Sequence, residues 1–156
     1  MPESPACAAI ALGSNLGDRQ QHLRTAIDRI GALGRVTSLS TFHDTAPVGL
    51  LDQPRFLNAA LLLETALPPL DLLRALLAIE LRMGRDRANV PAKGPRVIDL
   101  DLILYNDQTL TTPELTLPHP AMHERPFVLA PLAELAPNWQ HPTLHLTLAE
   151  LLARLS

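Results

Sequence analysis

Gly94-Pro95-Arg96-Val97-Ile98-Asp99-Leu100-Asp101-Leu102-Ile103-Leu104-Tyr105 reads as a β-strand with two different faces. Side chains alternate with period two, so Asp99, Asp101, Ile103 and Tyr105 share one face and Ile98, Leu100, Leu102 and Leu104 the other. An aliphatic face opposite one that begins acidic and ends apolar predicts a central strand covered on both sides, with its acids at the entering end. Two like charges about 6 to 7 Å apart along a strand repel by roughly 2 to 3 kcal/mol at an effective dielectric near 20. Something positive must offset that cost. Arg82, Arg85, Arg87, Lys93 and Arg96 place five of the chain's 13 Lys and Arg in a short flank of a protein whose formal net charge is -3. Carboxylates that hold hard divalent cations, beside guanidiniums that grip phosphate oxygens in pairs, are what a polyphosphate with Mg2+ requires.

The same residues carry a family resemblance. Gly-Pro-Arg-x-x-Asp-Leu-Asp followed by aliphatics resembles the signature of the 6-hydroxymethyl-7,8-dihydropterin pyrophosphokinases, folate-pathway enzymes that move a diphosphate from ATP to a pterin alcohol. Three further segments match in the family's order. They are Gly13-Ser14-Asn15-Leu16-Gly17, Thr45 to Gly49 with Asp52 to Ala60, and Pro118-His119 with Arg125-Pro126-Phe127.

Composition fits this reading. A chain of 156 residues, 47% hydrophobic and 19% charged, is expected to be one domain over 1–156. The lone Cys7 rules out an intrachain disulfide and suits a reducing compartment. The opening Met-Pro-Glu-Ser has no basic region and no long apolar run, so a cytoplasmic protein is expected, with no membrane or nucleic-acid partner. A monomer is expected.

Along the chain, Ala6 to Leu12 reads as a buried strand. A helix follows, capped by Asp18, with Leu23, Ala26, Ile27, Ile30 and Leu33 on one stripe. Gly13 to Gly17 lacks the lysine and spacing of a phosphate loop and is read as a tight turn. Val36 to Thr45 reads as one strand, 46–54 as a proline-held loop, and Phe56 to Thr65 as the next strand. Pro68 to Met83 is helical with prolines in its first turn, and Gly84 ends it. The segment 85–94 has no periodicity and is expected to be a lid over a triphosphate. Leu110 to Leu117 is expected to return as a short ribbon, and a helical turn or two should follow from Phe127. His119 and His123 are not read as a zinc pair, because Pro118 and Pro120 break the helix that spacing needs. The order strand, helix, strand, strand, helix, strand predicts an α+β, ferredoxin-like sandwich. Its sheet should be mainly antiparallel, with helices on one face and a helical C-terminal tail.

The resemblance implies roles. Asp99 and Asp101 would ligate two Mg2+ ions. Arg85, Arg87, Arg96, His119 and Arg125 would hold the ATP phosphates, with Arg85 and Arg96 closest to the chemistry. Glu80 would approach the metal and nucleotide side. Thr45, Pro47, Val48, Phe56, Asn58 and Phe127 would seat the pterin, a flat ring with an amide-like edge that suits aromatic faces and an amide. The sequence departs from the family pattern at Ala92 and Lys93, at His43 and at Pro120, which bears on lid closure and on the adenine side. Two alternatives are a non-catalytic nucleotide- or pterin-binding paralogue and another Mg-dependent phosphoryl-transfer enzyme.

Overall fold

A computed structural model of the chain describes residues 5–47, 52–84 and 95–155. Val48, Arg85, Arg87, Lys93 and the expected lid at 85–94 lie outside those residues. In chain order the elements are β1 (Ala6–Ser14), α1 (Arg19–Ile30), β2 (Arg35–Leu39), β3 (His43–Thr45), β4 (Phe56–Thr65), α2 (Pro69–Arg82), β5 (Asp99–Tyr105), the two-residue strands β6 (Leu110–Thr111) and β7 (Thr116–Leu117), α3 (Pro126–Leu135) and α4 (Leu148–Ala153). The main sheet runs β2-β4-β1-β5 with β3 also on β4, and every pairing is antiparallel. This is the predicted α+β sandwich.

β1 can be central because its alanines let layers close on both sides. Ala6, Ala8, Ile10 and Leu12 enter a core with Leu23, Ala26 and Ile30 of α1 and Leu72, Leu76 and Ile79 of α2. Ala9 and Ala11 enter a second core with Val128, Leu129 and Leu132 of α3 and Leu148 and Leu151 of α4. The two long helices thus share one face, as expected, and the C-terminal tail closes the other. Local signals place the ends. Asp18 accepts a hydrogen bond from the Gln21 N–H at 3.1 Å to cap α1, and Thr147 and Glu150 form a capping box at α4.

Three expectations are corrected. The acidic strand β5 lies at the edge of the sheet, not at its centre; β1 and β4 are the inner strands. The Leu100 and Leu102 face of β5 is buried on the side of α1 and α2, Ile103 and Leu104 at its far end enter the second core, Asp99 and Asp101 stay half-buried, and part of its open edge is met by other groups. The Leu100 N–H donates to Glu80 Oε2 at 2.7 Å, and the Ile103 carbonyl accepts from the His119 N–H at 2.9 Å. The alternation along β5 also fails. Ala9 pairs with Leu104 and Ile10 with Leu102, leaving Ile103 as an extra residue. Beyond that bulge the faces exchange. Leu104 joins Ile103 in the second core, and Tyr105 turns into the first, where its hydroxyl donates to the Leu67 carbonyl at 2.6 Å. Finally, the strand expected over Val36 to Thr45 is two strands. Buried Ser40 interrupts it: its Oγ accepts from the Ala60 N–H at 2.9 Å and donates to the Thr41 carbonyl at 2.8 Å. Three residues then lead from Ser40 to His43 while the partner strand advances two, from Ala60 to Asn58.

Candidate active site

Register assembles the site. Gly13 of β1 pairs with Asn58 of β4 on one side and with Asp99 of β5 on the other, and Asn58 pairs onward with His43 of β3. Directly opposed residues share a face, so His43, Asn58, Gly13 and Asp99 form one row across the sheet. Asn58 and Asp99 stand about 10 Å apart, two strand spacings, on the face packed by α3. The next row inward holds Ala60, Ala11 and Asp101. Small residues therefore form the floor between the acids and the amide.

Gly13 keeps that floor open. A Cβ there would lie 3.0 Å from Asn58 Oδ1 and 3.6 Å from the Phe56 ring. Glycine inside a strand marks such a close approach. Asn58 is buried, and its side-chain N–H donates to Thr45 Oγ1, which leaves its carbonyl oxygen turned toward Gly13. Phe56 lies on the same face at the outer end of β4. Phe127 reaches this face from the first turn of α3, partly buried against the second core. Pro47 is half-buried just past β3.

Positive charge meets the acids from two directions. Arg96 Nη1 lies 3.5 Å from Asp99 Oδ2, and its guanidinium stacks 5.0 Å from the Phe56 ring centroid. One arginine thereby touches both the acidic end and the aromatic end of the row. Arg125 lies over Phe127 at 5.7 Å. His119 follows the cis Leu117–Pro118 bond. Its Nδ1 accepts from the Ala121 N–H at 3.2 Å, so Nε2 carries the proton in the neutral ring. Burial pushes this imidazole below its ordinary value, Arg125 pushes it the same way, and Asp99 opposes. A hollow of about 290 Å3 opens beside His119, bordered also by Thr116, His123 and His141.

Of the residues singled out in the sequence, Asp99, Asp101, Arg96, His119, Arg125, Phe127, Phe56, Asn58 and Thr45 come to one side of the sheet. Glu80 does not. It is 1% exposed on α2, against the opposite face, and its Oε2 accepts from the Leu100 N–H of β5.

Two residues read as turn formers belong with the site. Gly13 is one. Buried Asn15 is the other: its side-chain N–H group donates to Gln53 Oε1 at 2.8 Å and to the Pro54 carbonyl at 3.0 Å, and its Oδ1 accepts from the Arg96 N–H at 2.8 Å. The Asn15 N–H returns a bond to the Arg96 carbonyl at 3.1 Å. One amide thus ties the loop before β4 to the approach to β5. A glycine closing an apolar strand, two residues before an asparagine, was the signal available.

The donor set suits magnesium. Two half-buried carboxylates lie on one strand face, and among the described residues no group of three or more His, Cys, Asp or Glu is arranged to hold a metal. Mg2+ commonly takes one or two carboxylates and fills its remaining positions with water and phosphate oxygens.

Comparisons with known proteins show which family the chain resembles. Residues 9–137 match the family model described as 7,8-dihydro-6-hydroxymethylpterin-pyrophosphokinase (HPPK). The chain is 47% identical over 130 residues to the 2-amino-4-hydroxy-6-hydroxymethyldihydropteridine pyrophosphokinase of Bacillus subtilis, covering 82% of this chain and 77% of that one. For the Pseudomonas aeruginosa protein of the same name the identity is 45% over 135 residues, 85% of this chain and 82% of the relative. It is also 41% identical to the folic acid synthesis protein fol1 of Schizosaccharomyces pombe over 95% of this chain, which spans only 20% of that protein. A Plasmodium falciparum HPPK-DHPS triple mutant superposes with a TM-score of 0.79 at 17% identity, over 99% of this chain and 44% of that one. That last likeness concerns the fold alone.

Proposed function

Because the chain belongs to the 7,8-dihydro-6-hydroxymethylpterin-pyrophosphokinase family, we propose that it transfers diphosphate from ATP to the hydroxymethyl group of 6-hydroxymethyl-7,8-dihydropterin, in folate biosynthesis. The hydroxymethyl oxygen forms a bond to the β-phosphorus, the bond from that phosphorus to the oxygen bridging the α-phosphate breaks, and AMP leaves. The observation that carries the reading is the row Asn58, Gly13, Asp99. It sets a seat for a flat amide-edged ring beside a pair of carboxylates, separated by little more than the ring's own width.

The positions support the roles proposed for the described residues; those of Val48, Arg85 and Arg87 rest on the family resemblance alone. Phe56 and Phe127 stack on the pterin, and Asn58, fixed by Thr45, pairs with its polar edge, with Pro47 and the Val48 backbone walling the seat. Asp99 and Asp101 would hold two Mg2+ ions, which when bound would neutralise phosphate charge and lower the proton affinity of the substrate hydroxyl. Arg96, anchored on Phe56 and Asp99, points its charge at the junction of the two substrates. Arg85, Arg87 and Arg125 grip phosphates, and His119 donates its Nε2 proton to them. Glu80 fixes the strand that carries the acids. The 1–156 domain acts as a monomer in the cytoplasm. No helix among the described residues is long and apolar enough to cross a membrane.

The test is the nucleotide product. Incubated with MgATP and the pterin alcohol, the chain is expected to give AMP and the pterin diphosphate, and Asp101→Asn none. ADP as product would replace the reading with another phosphoryl transfer. Binding of both ligands without turnover would make the chain a non-catalytic paralogue.

A further inference from the structure

Glu134 occupies the last turn of α3, well away from Phe127 at that helix's start. Its carboxylate is fully engaged with one short segment. Oε2 accepts from the Thr41 N–H at 2.6 Å; Oε1 accepts from the Thr41 hydroxyl at 2.7 Å and lies 3.2 Å from His43 Nε2. These bonds, the Thr41 hydroxyl first, hold the carboxyl below its ordinary value. A half-exposed glutamate that collects three donors from two residues is more than a solvated surface charge.

What it grips explains the arrangement. Thr41 and His43 lead into β3, a strand of three residues that pairs only with β4. β3 carries Thr45, whose Oγ1 orients the Asn58 amide, and His43 itself stands in the row next to Asn58. The strand's other side is held by Asp44, bonded to Arg19 and Arg55, which fixes it to α1 and to the start of β4 and leaves its position against α3 undetermined. Among the described residues, the Glu134 clasp is the polar contact that relates β3 and the turn before it to the helix that presents Phe127. We propose that Glu134 is a positioning residue for the pterin. Through Thr41 and His43 it sets the distance between the Thr45 and Asn58 edge and the Phe127 face, and so the width and the hydrogen-bonding direction of the seat. The proposal rests on the pterin reading above.

The Glu134→Ala chain tests it by steady-state kinetics with each substrate varied in turn. KM for the pterin alcohol is expected to rise about tenfold, within what misplacement of a held substrate costs, with kcat and KM for ATP changed less than about twofold. Glu134→Gln keeps one acceptor oxygen for Thr41 and is expected to recover part of the loss. Thr41→Val, which removes the hydroxyl alone, should reproduce part of it and serves if the alanine chain does not fold. An unchanged pterin KM, or an equal rise in both KM values, overturns the proposal. If the unaltered chain makes no AMP, the pterin reading itself fails. The positional claim is then decided by amide exchange: faster exchange at His43, Asp44 and Thr45 in Glu134→Ala, with the centre of β4 unaffected, upholds it, and equal exchange overturns it.

Discussion

A glycine does the most for the least at this site. Asn58 and Asp99 flank Gly13 from the strands on either side of β1, and any side chain at position 13 would stand between them. In Gly13→Ala the new methyl meets Asn58 Oδ1 at 3.0 Å, tighter than ordinary contact, and the buried amide must turn or the strands must part. Pterin binding is expected to weaken clearly while MgATP affinity stays near that of the unaltered chain, measured by calorimetry with each ligand. Equal losses for both would mean that the sheet itself had shifted. At this scale Asp99, Asp101 and Arg96 stood out in the sequence, because their charge is out of keeping with the aliphatics around them, whereas Arg85 and Arg87 lie outside the described residues. Gly13 and Asn15 were not, since each looks like an ordinary turn residue until its partners from distant segments are known.

The elements turn on how β5 is held. As an edge strand it has outward N–H groups with no strand among the described residues to take them, and Glu80 of α2 accepts from the one on Leu100, between the two acids. Glu80→Ala leaves that buried N–H without its carboxylate, an expected loss of about 1 to 3 kcal/mol. Thermal melts should show it. Glu80→Gln, which retains an acceptor, is expected to lose less. Activity should fall with stability in the alanine chain, because β5 carries Asp99 and Asp101, and full stability in Glu80→Ala would show that β5 does not depend on this bond. The helices and β1 were readable from local sequence, as was the cap at Asp18. The bulge at Ile103 and the break at Ser40 were not: each depends on what a neighbouring strand requires, and a single strand's alternation holds no record of its partner's register.

Across the whole molecule, titration is expected to set a pH limit. Burial lowers the imidazoles of His119 and His141 from their ordinary value of 6.5, the first aided by Arg125 and the second by His123 and His145. The unfolded chain therefore takes up protons before the folded one does. This contribution to stability is fully present above about pH 6.5 and is lost as the pH falls from there through the lowered folded-state values. A second loss is expected below the ordinary carboxylate range, where Asp44, Glu114, Glu134 and Glu150, all lowered by their hydrogen bonds, become protonated. Melting temperatures from pH 8 to 5 should trace the first step. His141→Asn, which can still accept from Thr143 but cannot titrate, should flatten it; an unchanged slope would locate the protons elsewhere. By itself the sequence determined the α+β order, the two long helices, the apolar core residues and the placing of two acids on one strand face, because propensity, capping and periodicity act over a few neighbours. Only the tertiary structure decided that β5 is an edge strand, that the C-terminal helices close the second face, and that His43, Asn58, Gly13 and Asp99 stand in one row. Those outcomes depend on pairing between segments tens of residues apart, where a shift of one residue would turn every side chain to the opposite face.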